Sequence, residues 1–138
     1  MTHIHQSVTI DAPLEMVWEY FTDSAKIAEW LMPNTFRSEL GAGFTMDCPP
    51  GIGSGAPVEC EIRDITAPND GEARLVYTWI IDQPHTETLL EVSFRQIRDT
   101  THVDVVHSGW EDGESDLRTR HAMGWQHLLG VRLRACIE

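Results

Sequence analysis

The sequence predicts an α+β fold in which a curved antiparallel sheet wraps around a long C-terminal helix, with two short helices after the first strand. Three observations predict it. Period-two apolar alternation recurs in five segments before Trp110, turn chemistry separates those segments, and a proline-free stretch of helical periodicity runs from Ser115 to Ile137.

Ile4, Val8 and Ile10 share one face of a first strand while His3, His5, Ser7 and Thr9 share the other. Asp11-Ala-Pro-Leu-Glu15 then combines a capping acid, a proline suited to a first turn and an acid near the positive helix end, predicting a helix to about Phe21. Thr22-Asp23-Ser24 offers new capping oxygens for a second helix over Ala25 to Leu31, and Pro33 stops it. Roughly six strands are expected from Thr35 to Trp110, divided at Gly41-Ala-Gly43, Pro49 to Gly55, Pro68-Asn-Asp-Gly71, Asp82-Gln-Pro84 and Asp99-Thr-Thr101. Within them Val58, Cys60 and Ile62 share a face. So do Leu75, Tyr77, Trp79 and Ile81, then Leu90, Val92 and Phe94, then Val103, Val105, His107 and Gly109. On the C-terminal helix, Leu117, His121, Trp125, Leu128, Leu129, Arg132 and Cys136 form one inward stripe, opposite Asp116, Met123, Gln126 and Arg134.

The 138 residues are read as one domain, with no internal repeat or linker. Ten Lys plus Arg against 22 Asp plus Glu give a net charge of -12, which repels phosphate backbones and anionic lipid and argues against a nucleic-acid partner. No run approaches the ~18 apolar residues of a membrane helix, and the first residues lack the pattern of a secretory signal, so a cytoplasmic protein without membrane insertion is expected. Cys48, Cys60 and Cys136 fit neither a disulfide framework nor a CxxC metal pair and are read as buried, reduced thiols.

Particular words stand out in this order: Ser7-Val-Thr-Ile-Asp-Ala-Pro13 through Val17-Trp18, Trp30, Arg74-Leu-Val-Tyr-Thr-Trp79, Val106-His-Ser-Gly109 and Gly124-Trp125. With them the whole chain resembles the bacterial branch related to the activator of the heat-shock chaperone ATPase, within the START, polyketide cyclase and birch-allergen superfamily. The resemblance implies the helix-grip fold and a cavity between sheet and long helix. That superfamily hosts lipid carriers, cyclases, hydrolases and chaperone regulators, so the fold alone does not choose among them. The extra N-terminal domain of the eukaryotic chaperone activators has no counterpart here, so their complete mechanism is not expected to transfer. Arg132 stands where similar proteins continue small or apolar residues.

Candidate ligand-binding residues are Trp30, Trp79, His107, His121, Trp125 and Arg132. His107 and His121 both point inward and would form a polar pair in an apolar pocket, able to bond a ligand or act as acid and base. A core histidine bonded to its neighbours is the plainer alternative. Arg132, inward on the stripe, must pair, reach water or meet the anionic end of a ligand. Its place near the helix C-terminus offers a plainer role there. Trp30, Trp79 and Trp125 are read as cavity walls, Trp18 as core and Trp110, on the strand face opposite His107, as peripheral.

Other patterns fail. Gly51-Ile-Gly-Ser-Gly55 lacks the ending of a phosphate loop, His85-Thr-Glu87 has no PCxxC after it, and no GxSxG elbow exists. His3 and His5 share metal-capable spacing, but on an exposed strand face. No catalytic residue, metal or cofactor is assigned. The expected role is binding a small hydrophobic or amphipathic molecule; the alternatives are a module acting on a chaperone or another protein, and a cyclase or dehydratase using His107 and His121.

Overall fold

The computed structural model describes residues 3–47, 56–81 and 86–138. Along the chain lie β1 (Ile4–Ile10), α1 (Leu14–Thr22), α2 (Ser24–Trp30), β2 (Gly43–Met46), β3 (Val58–Asn69), β4 (Glu72–Ile81), β5 (Thr86–Ile97) and β6 (Thr100–Ser108). A single 3-10 turn, Asp112–Glu114, then leads into α3 (Ser115–His127), a π-helical segment (Leu128–Leu133) and α4 (Arg134–Ile137). Five described strands follow the two short helices where about six were expected. The turns expected at 49–55 and 82–84, Cys48 and His85 lie outside the described residues.

All six strands are antiparallel neighbours in the order β1-β6-β5-β4-β3-β2. The turn joining β3 to β4 shows why. Asp70 and Gly71 have φ of 52° and 77°, the left-handed pair whose twist matches that of the flanking strands. Each alternating apolar set read from the sequence is buried on one common face, from Val58, Cys60 and Ile62 through Val103, Val105 and His107, with Ile81 left half-buried and Gly109 exposed.

The two short helices close one end of that face. Asp23 Oδ1 accepts from the backbone N–H groups of Ala25 and Lys26, capping α2 as its position implies. Asp11, by contrast, does not cap α1. The Leu14 N–H donates instead to Gln96 Oε1 at 2.6 Å, a partner supplied by the end of β5. Phe21 meets Phe94 at 4.9 Å and Trp30 at 4.9 Å between ring centroids, which fixes the helical corner on the sheet.

At the other end, Glu111 and Glu114 form a reciprocal capping box before α3, a more specific use of this acidic run than favourable charge alone. The C-terminal helix then departs from the expected periodicity. In an uninterrupted α-helix Arg132 lies about 20° from Trp125 and Leu133 about 80° away. Over Leu128–Leu133, however, the π-helical backbone accommodates more residues per turn. Trp125, Leu129 and Leu133, each four apart, are therefore the buried residues, and Arg132 is turned out to solvent. The inward placement of Arg132 is corrected on this ground.

Leu133→Ala should cost about 2–5 kcal/mol of unfolding free energy as a core cavity, and Arg132→Ala less than about 1 kcal/mol. Urea denaturation checks the order; a larger loss at Arg132 would restore the uninterrupted α-helical register.

Candidate functional site

Alternation on three adjacent strands directs Trp79, Thr88 and His107 to the same face of the sheet. Registry places Trp79 directly opposite Thr88, and Leu90 opposite His107, so the three lie on neighbouring rungs. From above, α3 brings His121 and Trp125, one turn apart. Their rings form one cluster, with Trp79 at 5.6 Å from His107, 6.2 Å from His121 and 5.7 Å from Trp125 between centroids.

Trp110 completes it, against expectation. Strand alternation puts Trp110 opposite His107, but β6 ends at Ser108 and Gly109 adopts φ 96°. A side chain at residue 109 would also meet the Glu87 carbonyl oxygen and Thr88 Cα at 3.3 Å. Glycine therefore permits a left-handed turn pressed against β5, and this folds the Trp110 ring back to 4.7 Å from His107 and 4.8 Å from His121. The Trp110 N–H donates to the His107 carbonyl at 3.1 Å.

The hydrogen bonds around His107 admit one protonation state. Trp125 Nε1–H, a donor only, donates to His107 Nδ1 at 3.1 Å, so that nitrogen carries no proton. Nε2 then holds the ring proton and donates to Thr88 Oγ1 at 2.7 Å, while the Thr88 hydroxyl donates to the Trp79 carbonyl at 2.7 Å. Complete burial, with a smaller contribution from neighbouring His121, holds the His107 imidazole well below its ordinary range near 6.5. His121 is half-buried and also lowered, mainly by burial. Its Nδ1–H donates to the Leu117 carbonyl at 2.9 Å, leaving Nε2 as an acceptor with no partner among the described residues.

One polar atom stands apart. The indole N–H of Trp79, a residue 4% exposed, is buried and has no hydrogen-bond partner among the described residues. Such an orphan donor costs about 1–3 kcal/mol unless something else accepts from it.

Of the residues expected to bind ligand, Trp79, His107, His121 and Trp125 come together, whereas Trp30 and Arg132 lie elsewhere. The Trp30 N–H donates to the Tyr20 carbonyl at 2.7 Å and its ring packs on Phe21 in the helical corner. Arg132 Nη2 donates to the Glu29 carbonyl at 3.3 Å, and Cys136 Sγ approaches the same oxygen at 3.7 Å, satisfying the end of α2. Trp18 is half-buried against Phe94. Thr88 was missed by sequence reasoning. Its signal was an inward threonine among Leu90, Val92 and Phe94, which had to find a polar partner.

Burial drives the Cys60 thiol far above its ordinary range, leaving it protonated and unreactive; Cys136 is half-buried. Among the described residues no His, Cys, Asp or Glu group converges as a metal site. His5 instead meets Asp104 at 3.1 Å. A depression of about 640 Å³ lies on the far side of the sheet, bordered by Arg74, Arg95, His102 and Asp104. Among its charged groups Arg74 pairs with Asp64 and Glu91, and Asp104 with His102.

Residues 11–138 match the family described as Activator of Hsp90 ATPase homolog 1-like protein. The chain belongs to that family. Its fold is the helix-grip fold. Protein MLL2253 from Mesorhizobium loti shares 22% identity at a TM-score of 0.85 over 97% of this chain and 95% of its own. Bacillus halodurans BH1534 shares 28% at 0.80, with both chains covered in full. The Aha1 dimer from Colwellia psychrerythraea shares 14% at 0.76, over 99% of this chain and 97% of its own. No curated protein matches the sequence. Among the described residues no helix is long and apolar enough to cross a membrane.

Protonating either imidazole is disfavoured in the folded state, whereas the unfolded chain takes up these protons once pH falls through about 6.5. Stability should therefore be level above that pH and decline below it. Melting temperature should drop between pH 7.5 and 5.5, and nitrogen NMR should show His107 still neutral with its proton on Nε2 at pH 5.5. A protonated His107 there would contradict the hydrogen-bond assignment.

Proposed function

We propose that the protein binds a small hydrophobic or amphipathic molecule between the sheet and the C-terminal helix, at the cluster of Trp79, His107, Trp110, His121 and Trp125. The observation that carries this reading is the buried, unpartnered N–H of Trp79. Native interiors pair nearly all such donors, and the four neighbouring rings supply the apolar walls on which a flat molecule stacks. A few polar groups set among aromatic walls is the composition of a ligand site. Trp30 and Arg132 are left out of it.

The family match supports a second reading, a module acting on a chaperone or another protein. Its contact surface would be the outside of the C-terminal helix, where Met123 and Val131 are exposed. The enzyme reading narrows instead to His121. Both ring nitrogens of His107 are engaged within the protein, so His121 Nε2 is the imidazole nitrogen of the pair free to meet a substrate.

Native mass spectrometry of freshly purified protein should find a small molecule retained in the folded species and absent from the denatured chain. A hydrophobic probe titrated into emptied protein should quench tryptophan fluorescence. Bare mass together with unquenched fluorescence would sink the carrier reading and move the search to protein partners.

A further inference from the structure

The polar atoms of the aromatic cluster nearly all satisfy one another. Trp125 Nε1–H is taken by His107 Nδ1, His107 Nε2–H by Thr88, the Thr88 hydroxyl by the Trp79 carbonyl and Trp110 Nε1–H by the His107 carbonyl. His121 Nδ1–H is taken by the Leu117 carbonyl. Among the described residues this leaves one side-chain donor, Trp79 Nε1–H, and one side-chain acceptor, His121 Nε2, on rings whose centroids are 6.2 Å apart edge to face.

Resting on the binding reading above, we propose that the bound molecule is an aromatic or conjugated compound bearing a neutral hydroxyl, a phenol or enol. Its oxygen accepts from Trp79 Nε1–H and its proton is donated to His121 Nε2. A hydroxyl puts an acceptor and a donor on a single atom. Trp79 and His121 are neighbours in the cluster, so one small group can meet the edges of both rings. A carboxylate offers no proton to His121 Nε2. An ammonium gives Trp79 nothing to donate to. An ether or ketone satisfies Trp79 and leaves His121 bare. The walls of indole and imidazole favour a flat, unsaturated body over a flexible acyl chain.

Calorimetric titration with 2-naphthol, 2-methoxynaphthalene and naphthalene separates this proposal from the reading beneath it. The naphthol should bind at least about tenfold more tightly than naphthalene, the margin of about two neutral hydrogen bonds, and about fivefold more tightly than 2-methoxynaphthalene, the margin of about one. In Trp79→Phe, which keeps an aromatic ring while removing the N–H and part of the indole, the preference over naphthalene should shrink toward one. His121→Leu should shrink it likewise. Near-ultraviolet circular dichroism and the urea midpoint establish that each variant is folded. Equal binding of all three compounds would overturn hydroxyl recognition while leaving a general apolar site in place. A preference that survives both substitutions would overturn it too, by placing the contact elsewhere. If none of the three binds, the orphan pair is met by water alone, and both the proposal and the binding reading fall.

Discussion

The structure depends on how one neutral imidazole is buried. His107 has no solvent exposure, and a polar ring in that position is tolerable only when both nitrogens are paired. The partners come from different elements: Thr88 on β5, which reaches on to the Trp79 carbonyl of β4, and Trp125 on α3. A slip of one residue between β5 and β6 would turn the wrong face inward and break the chain of bonds. Rotation of α3 would withdraw the indole donor. The same few bonds therefore hold strand register and helix orientation together, and they leave His107 as architecture around the site.

The C-terminal helix joins two regions with different demands. Its first part, α3, must present His121 and Trp125 one turn apart above the sheet. Its last part must bury Leu129 and Leu133 and still reach α2, whose terminal carbonyl of Glu29 needs a donor. One uninterrupted α-helical stripe from Trp125 onward brings Arg132 inward. The π-helical segment between Leu128 and Leu133 resolves the conflict by shifting the register, so that Arg132 meets the end of α2.

The family and the site answer different questions. Membership in the Activator of Hsp90 ATPase homolog 1-like family accounts for the scaffold, and many chemistries share one scaffold. The proposed ligand binding depends on particular groups: an indole N–H unpartnered among the described residues, a half-buried imidazole with one free nitrogen and the aromatic walls around them.

What the sequence by itself determined was direction. Period-two alternation put Val58, Cys60 and Ile62, and likewise Val103, Val105 and His107, on one face, because side-chain direction in a strand is a local property. Strand and helix periods likewise let Trp79, His107, His121 and Trp125 be read as inward, and Thr22-Asp23-Ser24 as the source of the α2 cap. Partnership was decided only by the tertiary structure. Trp110 joins the cluster because a left-handed Gly109 interrupts the alternation, and Arg132 leaves the stripe because the helix changes pitch. Trp30 donates its N–H to Tyr20, while Trp79 finds no acceptor among the described residues. Whether a buried polar atom is satisfied depends on chain brought from elsewhere in the sequence, and periodicity along one segment carries no information about where that chain will lie.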